Sequence, residues 1–159
     1  MATAANIIVG AATFSIDASD VGYTKGGCTV RYEPEFIDVM ADQAAGVVAK
    51  RRSSERMYVT TTILEATLLR IQQAWGQPSV NLSGSILTLG YSDSCNTPSH
   101  AISIVGVSPN CGTRTFALTD CVAMGTREYT MSREEEVAFE VEFECLKDSS
   151  GNFGTITDS

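Results

Sequence analysis

Four groupings in this chain have the residue types that chemistry needs, and their spacing argues against each. The single histidine, His100, stands directly after Ser99. A nucleophilic serine and its base are brought together across a fold, not as sequence neighbours, so His100 reads as an ordinary surface or strand-end residue. The five cysteines, at 28, 95, 111, 121 and 145, are odd in number and form no C-x-x-C pair. Neither a disulfide framework nor a zinc site is expected. Cys28, Cys121 and Cys145 fall in strand-like runs, where a free thiol serves as a small hydrophobe. Cys95 and Cys111 lie near turns and can in principle pair, which a reducing cytoplasm disfavours. Asp148 to Asn152 loosely resembles a calcium loop, yet it lacks the sixth-position glycine and the closing bidentate glutamate. The glutamates alternating along 136–144 would be paired carboxylates only if a pocket faced them. Neighbours two apart on one strand more often make a solvated or partner-facing surface. No G-x-x-x-x-G-K-[ST] or H-E-x-x-H motif occurs, and Gly10 and Gly22 belong to no G-x-G-x-x-G loop. No catalytic, cofactor-binding or metal-binding residue is expected, and the chain does not read as an enzyme.

Length and composition point the same way. The 159 residues suit one domain with a real core, and 43% hydrophobic with 19% charged residues is ordinary for a globular protein. Eleven basic against nineteen acidic residues leave a net charge of −8. That opposes tight nucleic-acid binding, which runs on phosphate neutralisation by lysine and arginine. The acidity serves solubility, or a surface past which DNA slides without sticking. No apolar run approaches the roughly 18 residues of a membrane span, so no membrane binding is expected. The first ten residues lack the features of a secretory signal, which makes a cytoplasm the expected site of synthesis and folding.

The elements that would position these residues are mostly strands. Thr13 to Asp17 alternates as a short strand, and Ala18 to Gly22 reads as a turn. Thr24 to Gly27 is a glycine-punctuated turn opening an extended segment from Cys28 to Met40, with Pro34 marking a bulge or an edge position. A small, polar and basic loop is expected over Ala41 to Arg56. The β-branched run Met57 to Leu64 follows as a second long strand. Thr62 and Glu65 have capping-box spacing, and Leu64, Leu68, Ile71 and Trp75 draw one apolar stripe. One helix of about twelve residues is therefore expected, stopped by Gly76 and Pro78. Ser85 to Tyr91, His100 to Val107 and Gly112 to Met124 are further strand candidates. In the last strand Val137, Phe139, Val141, Phe143 and Cys145 form one face and Glu136, Ala138, Glu140, Glu142 and Glu144 the other. Residues 1–11 and 148–159 read as terminal arms, the latter mobile unless a partner holds it. No internal repeat or linker divides residues 1–159.

This order resembles that of bacteriophage tail tube (major tail) proteins of the siphophage type. The resembling stretches are DVGYTKGGCTVRYEP (Asp20 to Pro34), VMADQAAGVV (Val39 to Val48), ERMYVTTTILEATLLRIQQAWG (Glu55 to Gly76) and SREEEVAFEVEFECLKD (Ser132 to Asp148). They cover well over half of the chain, and order and spacing carry the likeness more than any single motif.

The resemblance implies a mainly β fold, a two-sheet β-sandwich approaching a barrel, with one flanking α-helix and a long hairpin loop over 41–56. It implies hexameric rings stacked into a tube for genome passage, in a virion tail assembled in the host bacterial cytoplasm. The implied partners are further copies of the chain, a tape-measure protein, and tail terminator and initiator proteins, with double-stranded DNA passing without tight binding. On this reading Asp42, Gln43, Val47, Val48, Lys50, Arg51 and Arg52 dock on the next ring. Val47 and Val48 would be buried there, and the three cations would meet a neighbour's carboxylates. Glu140, Glu142 and Glu144, with Glu33 and Glu35 as competitors, are the expected acidic lining of the lumen. Two alternatives stay open. One is a tube protein of a contractile or type VI secretion-like system. The other is a β-sandwich binding module that builds no tube.

Overall fold

A computed structural model of the chain describes residues 8, 10–91 and 95–159. The expected N-terminal arm, 1–11, falls largely outside the described residues. Ten strands and one helix follow in order: β1 (Thr13–Ile16), β2 (Ser19–Asp20), β3 (Thr24–Met40), β4 (Val47–Ile63), α1 (Leu68–Ala74), β5 (Leu82–Ser83), β6 (Ile86–Leu87), β7 (Ser99–Val107), β8 (Thr113–Met124), β9 (Phe139–Cys145) and β10 (Gly154–Asp158). The fold is mainly β, as its alternating runs dictate.

Eight strands form one antiparallel sheet, ordered β2-β1-β7-β8-β9-β4-β3, with β10 also on β8. The bend comes at β8, which changes partner along its length. Arg114 to Leu118 pair with β10, whereas Cys121 to Met124 pair with β9. The β9-β4-β3 portion thereby folds over β1, β7 and β8 as the second layer of a sandwich. Phe14, Ile16, Ile102, Ile104, Leu118 and Cys121 meet Val59, Ile63, Phe139, Val141 and Phe143 in a single core cluster. Each of the Val, Leu, Ile and Phe side chains contributes roughly 1.5–3 kcal/mol by leaving water, and this burial outweighs the weak local preferences of the short strands.

Four local expectations need correction. Gly26 and Gly27 are not a turn before the strand but a bulge inside it. Lys25 pairs Thr62 and Cys28 pairs Thr61, and the two glycines at φ +77° and +81° take up the extra length. Thr62 does not cap the helix, because it is committed to β4 opposite Glu140. The cap is Thr67, whose hydroxyl accepts the Arg70 N–H at 3.4 Å. This shortens α1 to seven residues, which stop where expected with Gly76 at φ +63°. Ser85 to Tyr91 supplies only the two residues of β6, which pairs with β5 as a small separate hairpin. The C-terminal segment is not left unpaired: β10 lies along β8, and Arg114 grips Asp158 through two hydrogen bonds of 2.7 Å. Asp148, the first residue of the calcium-like stretch, uses its Oδ1 to accept the N–H groups of Ser150 and Asn152 at 2.8 and 2.9 Å, closing a turn.

Candidate assembly surface

The correction with most bearing on function concerns the hairpin. The loop expected over 41–56 is confined to residues 41–46, because β4 already begins at Val47. The polar and basic composition of 49–56 masks a strand whose partner is β3 rather than a core. Asp42 and Gln43 lie in the tip, while Val47, Val48, Lys50, Arg51 and Arg52 are strand residues.

β4 touches β9 only from Met57 to Ile63. Beyond that, from Glu33 opposite Arg56 to Met40 opposite Val47, β3 and β4 pair only with each other. Eight residues at about 3.3 Å each make a two-stranded ribbon reaching roughly 25 Å. A lone ribbon is marginal in water, and polar contacts along it help to hold this one. Lys50 Nζ lies 2.6 Å from Asp38 Oδ1 across the two strands, and within β4 Arg52 Nη1 lies 2.9 Å from Glu55 Oε2. The Arg52 guanidinium also covers the Phe36 ring at 5.9 Å. Two of the three expected docking cations are thus engaged within the chain. Arg51, opposite Ile37, makes no salt bridge among the described residues. Phe36, Ile37, Met40, Val47 and Val48 are all exposed on the ribbon, Met40 at 71%.

The five glutamates named from the sequence come together on one face. Val59, Thr61 and Ile63 point into the core opposite Phe143, Val141 and Phe139. Strand alternation then puts Tyr58, Thr60 and Thr62, with their partners Glu144, Glu142 and Glu140, on the outer side. Across β4 the same outer row continues on β3 with Arg31, Glu33 and Glu35, which pair with Tyr58, Arg56 and Ser54. Arg31 stacks over the Tyr58 ring at 4.5 Å and reaches Glu33 at 2.7 Å, and Ser54 donates to Glu35 at 2.5 Å. The Arg56 guanidinium is held above its ordinary pKa by its bond to Tyr58, with the charges of Glu144 and Glu35 adding. Five carboxylates against two arginines make this face net acidic.

At the ribbon's base the two layers part around a cleft of about 650 Å³, lined by Val30, Met57, Ile104, Phe116, Phe153 and Ile156 among others. Glu55 is the polar hub at its rim. It accepts hydrogen bonds from Lys147, which follows β9, and from the Tyr32 hydroxyl. These donors, Lys147 first, hold its carboxyl down at about 2.

The other end of the sandwich is closed by α1 and by buried polar side chains. Arg70, 6% exposed, donates to Gln73 at 2.8 Å, to Ser19 at 2.9 Å and to the Asp20 carbonyl. Arg127 donates to the Ala74 and Glu142 carbonyls at 3.0 and 2.6 Å, and burial pushes its pKa down. His100 is a strand-end residue but not a surface one. It is 8% exposed, with Nδ1 2.7 Å from Asp17 Oδ2. Sequence reasoning missed Glu55, Arg70 and Arg127, whose partners lie on distant elements. Among the described residues no group of three or more His, Cys, Asp or Glu side chains is placed to hold a metal ion, and no helix is long and apolar enough to cross a membrane.

Comparison with protein families and with curated proteins returns no match. Among solved structures the chain is similar to one described as the virion of native gene transfer agent (GTA) particle. The two are 10% identical with a TM-score of 0.48, over 93% of this chain and 95% of that one.

Proposed function

We propose that this chain is a structural subunit of a phage-type tail tube, assembling with copies of itself into hexameric rings that stack around a channel for DNA. The observation that carries this reading is the ribbon. A monomer has no use for some 25 Å of β-hairpin holding five large apolar side chains in water, whereas a stacking subunit uses it to reach the next ring. The open outer edge of β3 supports the same reading, since unpaired edges are templates for further chains. A head-to-tail contact that closes around an axis gives a ring, and one that translates along it gives a filament.

In that arrangement the ribbon is the inter-ring element, with Val47, Val48 and Met40 covered by the neighbour and Arg51 available to its carboxylates. The glutamate face of β9, β4 and β3 is the lumen wall, where like charge repels the phosphate backbone. The subunit works as a wall and carries no catalytic site. Its partners are other copies, a tape-measure protein, and terminator and initiator proteins in a virion tail.

Negative-stain electron microscopy of the purified protein over a concentration series, with and without a tape-measure protein, tests the reading. Hollow tubes or stacked rings are expected. Monomers under every condition would overturn it and turn attention to the apolar cleft as the site of a binding module.

A further inference from the structure

Cys121 and Cys145 stand directly opposite each other on β8 and β9. The Leu146 N–H donates to the Asp120 carbonyl at 2.7 Å, which makes the cysteine pair a non-hydrogen-bonded one. At such positions the Cα atoms approach to about 4.5 Å and the side chains lean together. That separation falls inside the roughly 4.4–6.8 Å range a disulfide tolerates. The Cys121 thiol already donates to Cys145, with the sulfurs 3.2 Å apart. Both residues are buried, at 0% and 2% exposure, in the core cluster.

We propose that Cys121 and Cys145 are a latent cross-strand disulfide, open while the surroundings are reducing and closed when a peroxide reaches the core. The claim rests on geometry alone and is independent of the tube reading. The Cys145 thiolate attacks one oxygen of hydrogen peroxide and breaks the O–O bond. The departing hydroxide takes back from solvent the proton that Cys145 released in becoming a thiolate and leaves as water, so Cys145 becomes a sulfenic acid. The Cys121 sulfur then displaces the sulfenic hydroxyl, forming the S–S bond. The Cys121 proton leaves with that hydroxyl as the second water. Two thiols are oxidised by two electrons and one peroxide is reduced to two waters. Cys145 accepts the hydrogen bond from Cys121 and so takes the attacking role; the same S–S bond and the same two waters result if Cys121 attacks first. Peroxide is small enough to reach buried thiols through local opening of a sheet, which a bulky disulfide reagent is not.

The consequence is mechanical. The bond joins β8 to β9 where the sheet passes from one layer to the other, and it closes a ring containing residues 125–138, which hold no regular strand or helix. Constraining that ring in the unfolded chain stabilises the fold.

The test uses the full chain carrying Cys28→Ser, Cys95→Ser and Cys111→Ser, treated with hydrogen peroxide. Its intact mass is expected to fall by two hydrogens. No thiol should then react after denaturation, and Tm should rise by about 5 °C over the same sample with reductant. Adding Cys121→Ser abolishes the two-hydrogen loss and the rise in Tm, and leaves Cys145 to gain oxygen instead. If the triple variant does not fold, peptide mapping of the oxidised natural chain decides. A peptide pair linked through Cys121 and Cys145 supports the proposal. Two free thiols, an oxygenated Cys145 without a bond, or links only between chains would overturn it.

Discussion

His100 Nδ1 lies 2.7 Å from Asp17 Oδ2, joining the turn after β1 to the start of β7. The other carboxylate oxygen of Asp17 accepts the Ala101 N–H at 2.9 Å, and the Asp17 N–H donates to the Ala101 carbonyl at 2.8 Å. The β7–β8 register shifts between His100 and Ile102, so the Asp17 side chain ties down the backbone at that irregularity while it binds the buried imidazole. Asp17→Ala is expected to lower stability by about 1–3 kcal/mol, because a buried ring nitrogen and an amide lose their acceptor together. Urea unfolding measures it, and an unchanged midpoint would refute the assignment.

Asp17 and Ala18 form the two-residue loop between β1 and β2, at φ 51° and 62°. Two residues with positive φ make the type I′ turn that favours glycine at the second place. Ala18→Gly removes a Cβ strained in the left-handed region. After the entropy that glycine adds to the unfolded chain, a gain of up to about 1 kcal/mol is expected. A loss in thermal unfolding would show that the alanine methyl is worth more as packing than it costs in strain.

Glu55 sets an acid limit. Its folded pKa of about 2 lies below the 4.5 of the free side chain. The stabilisation is therefore complete above pH 4.5 and is lost as the pH falls toward 2. Glu55→Gln is expected to flatten the profile of Tm against pH in that window while lowering it at neutrality. Parallel profiles for the two proteins would remove Glu55 as the cause.

On the proposed reading the ribbon serves assembly and not folding. Met40 and Val47 sit opposite each other at its tip, exposed and far from the core. Replacing both with aspartate should change monomer stability by less than about 0.5 kcal/mol, as exposed substitutions do, and should abolish tubes in the microscope. Tubes of normal length from the double variant would move the ring contact elsewhere.

The proposed role of the glutamate face as the wall of a DNA channel is tested by transport. Glu140→Gln, Glu142→Gln and Glu144→Gln together should slow DNA ejection while leaving tube length unchanged. Ejection at the normal rate would mean that this face does not line the channel.

The core was the most legible part of the chain in sequence. The alternation of Phe139, Val141, Phe143 and Cys145 states a buried face outright, although the strand begins at Phe139 and leaves Val137 of the expected face outside it and half-buried, and β7 and β8 fall within a residue of their expected limits. Polar alternation hides what apolar alternation shows. Lys50, Arg51 and Arg52 read as loop because nothing in a run of cations announces a strand whose only support is its partner. The capping error has the same origin: Thr62 satisfies the local rule for a helix start, and pairing with Glu140 on β9 overrides it. Glu33, Glu35, Glu140, Glu142 and Glu144 were readable as charged strand positions. That they share one face is set by the registers of β4 with β3 and β9, which join segments far apart in the chain. The facing of Cys121 and Cys145 was hidden for the same reason.

Those registers also impose an order in time. β3 and β4 meet across six residues, so their pairing needs little loop closure and can form early. Thr13 must find Val105 and Met57 must find Cys145 before either layer exists, and such distant pairings are slow. During synthesis β3 and β4 are free to pair, though only with marginal stability, and the apolar tip side chains are in water while the body they belong to is still unfolded. A chain built this way is most prone to premature association before its core closes, and fast refolding at low concentration is the condition under which it reaches a clean monomer.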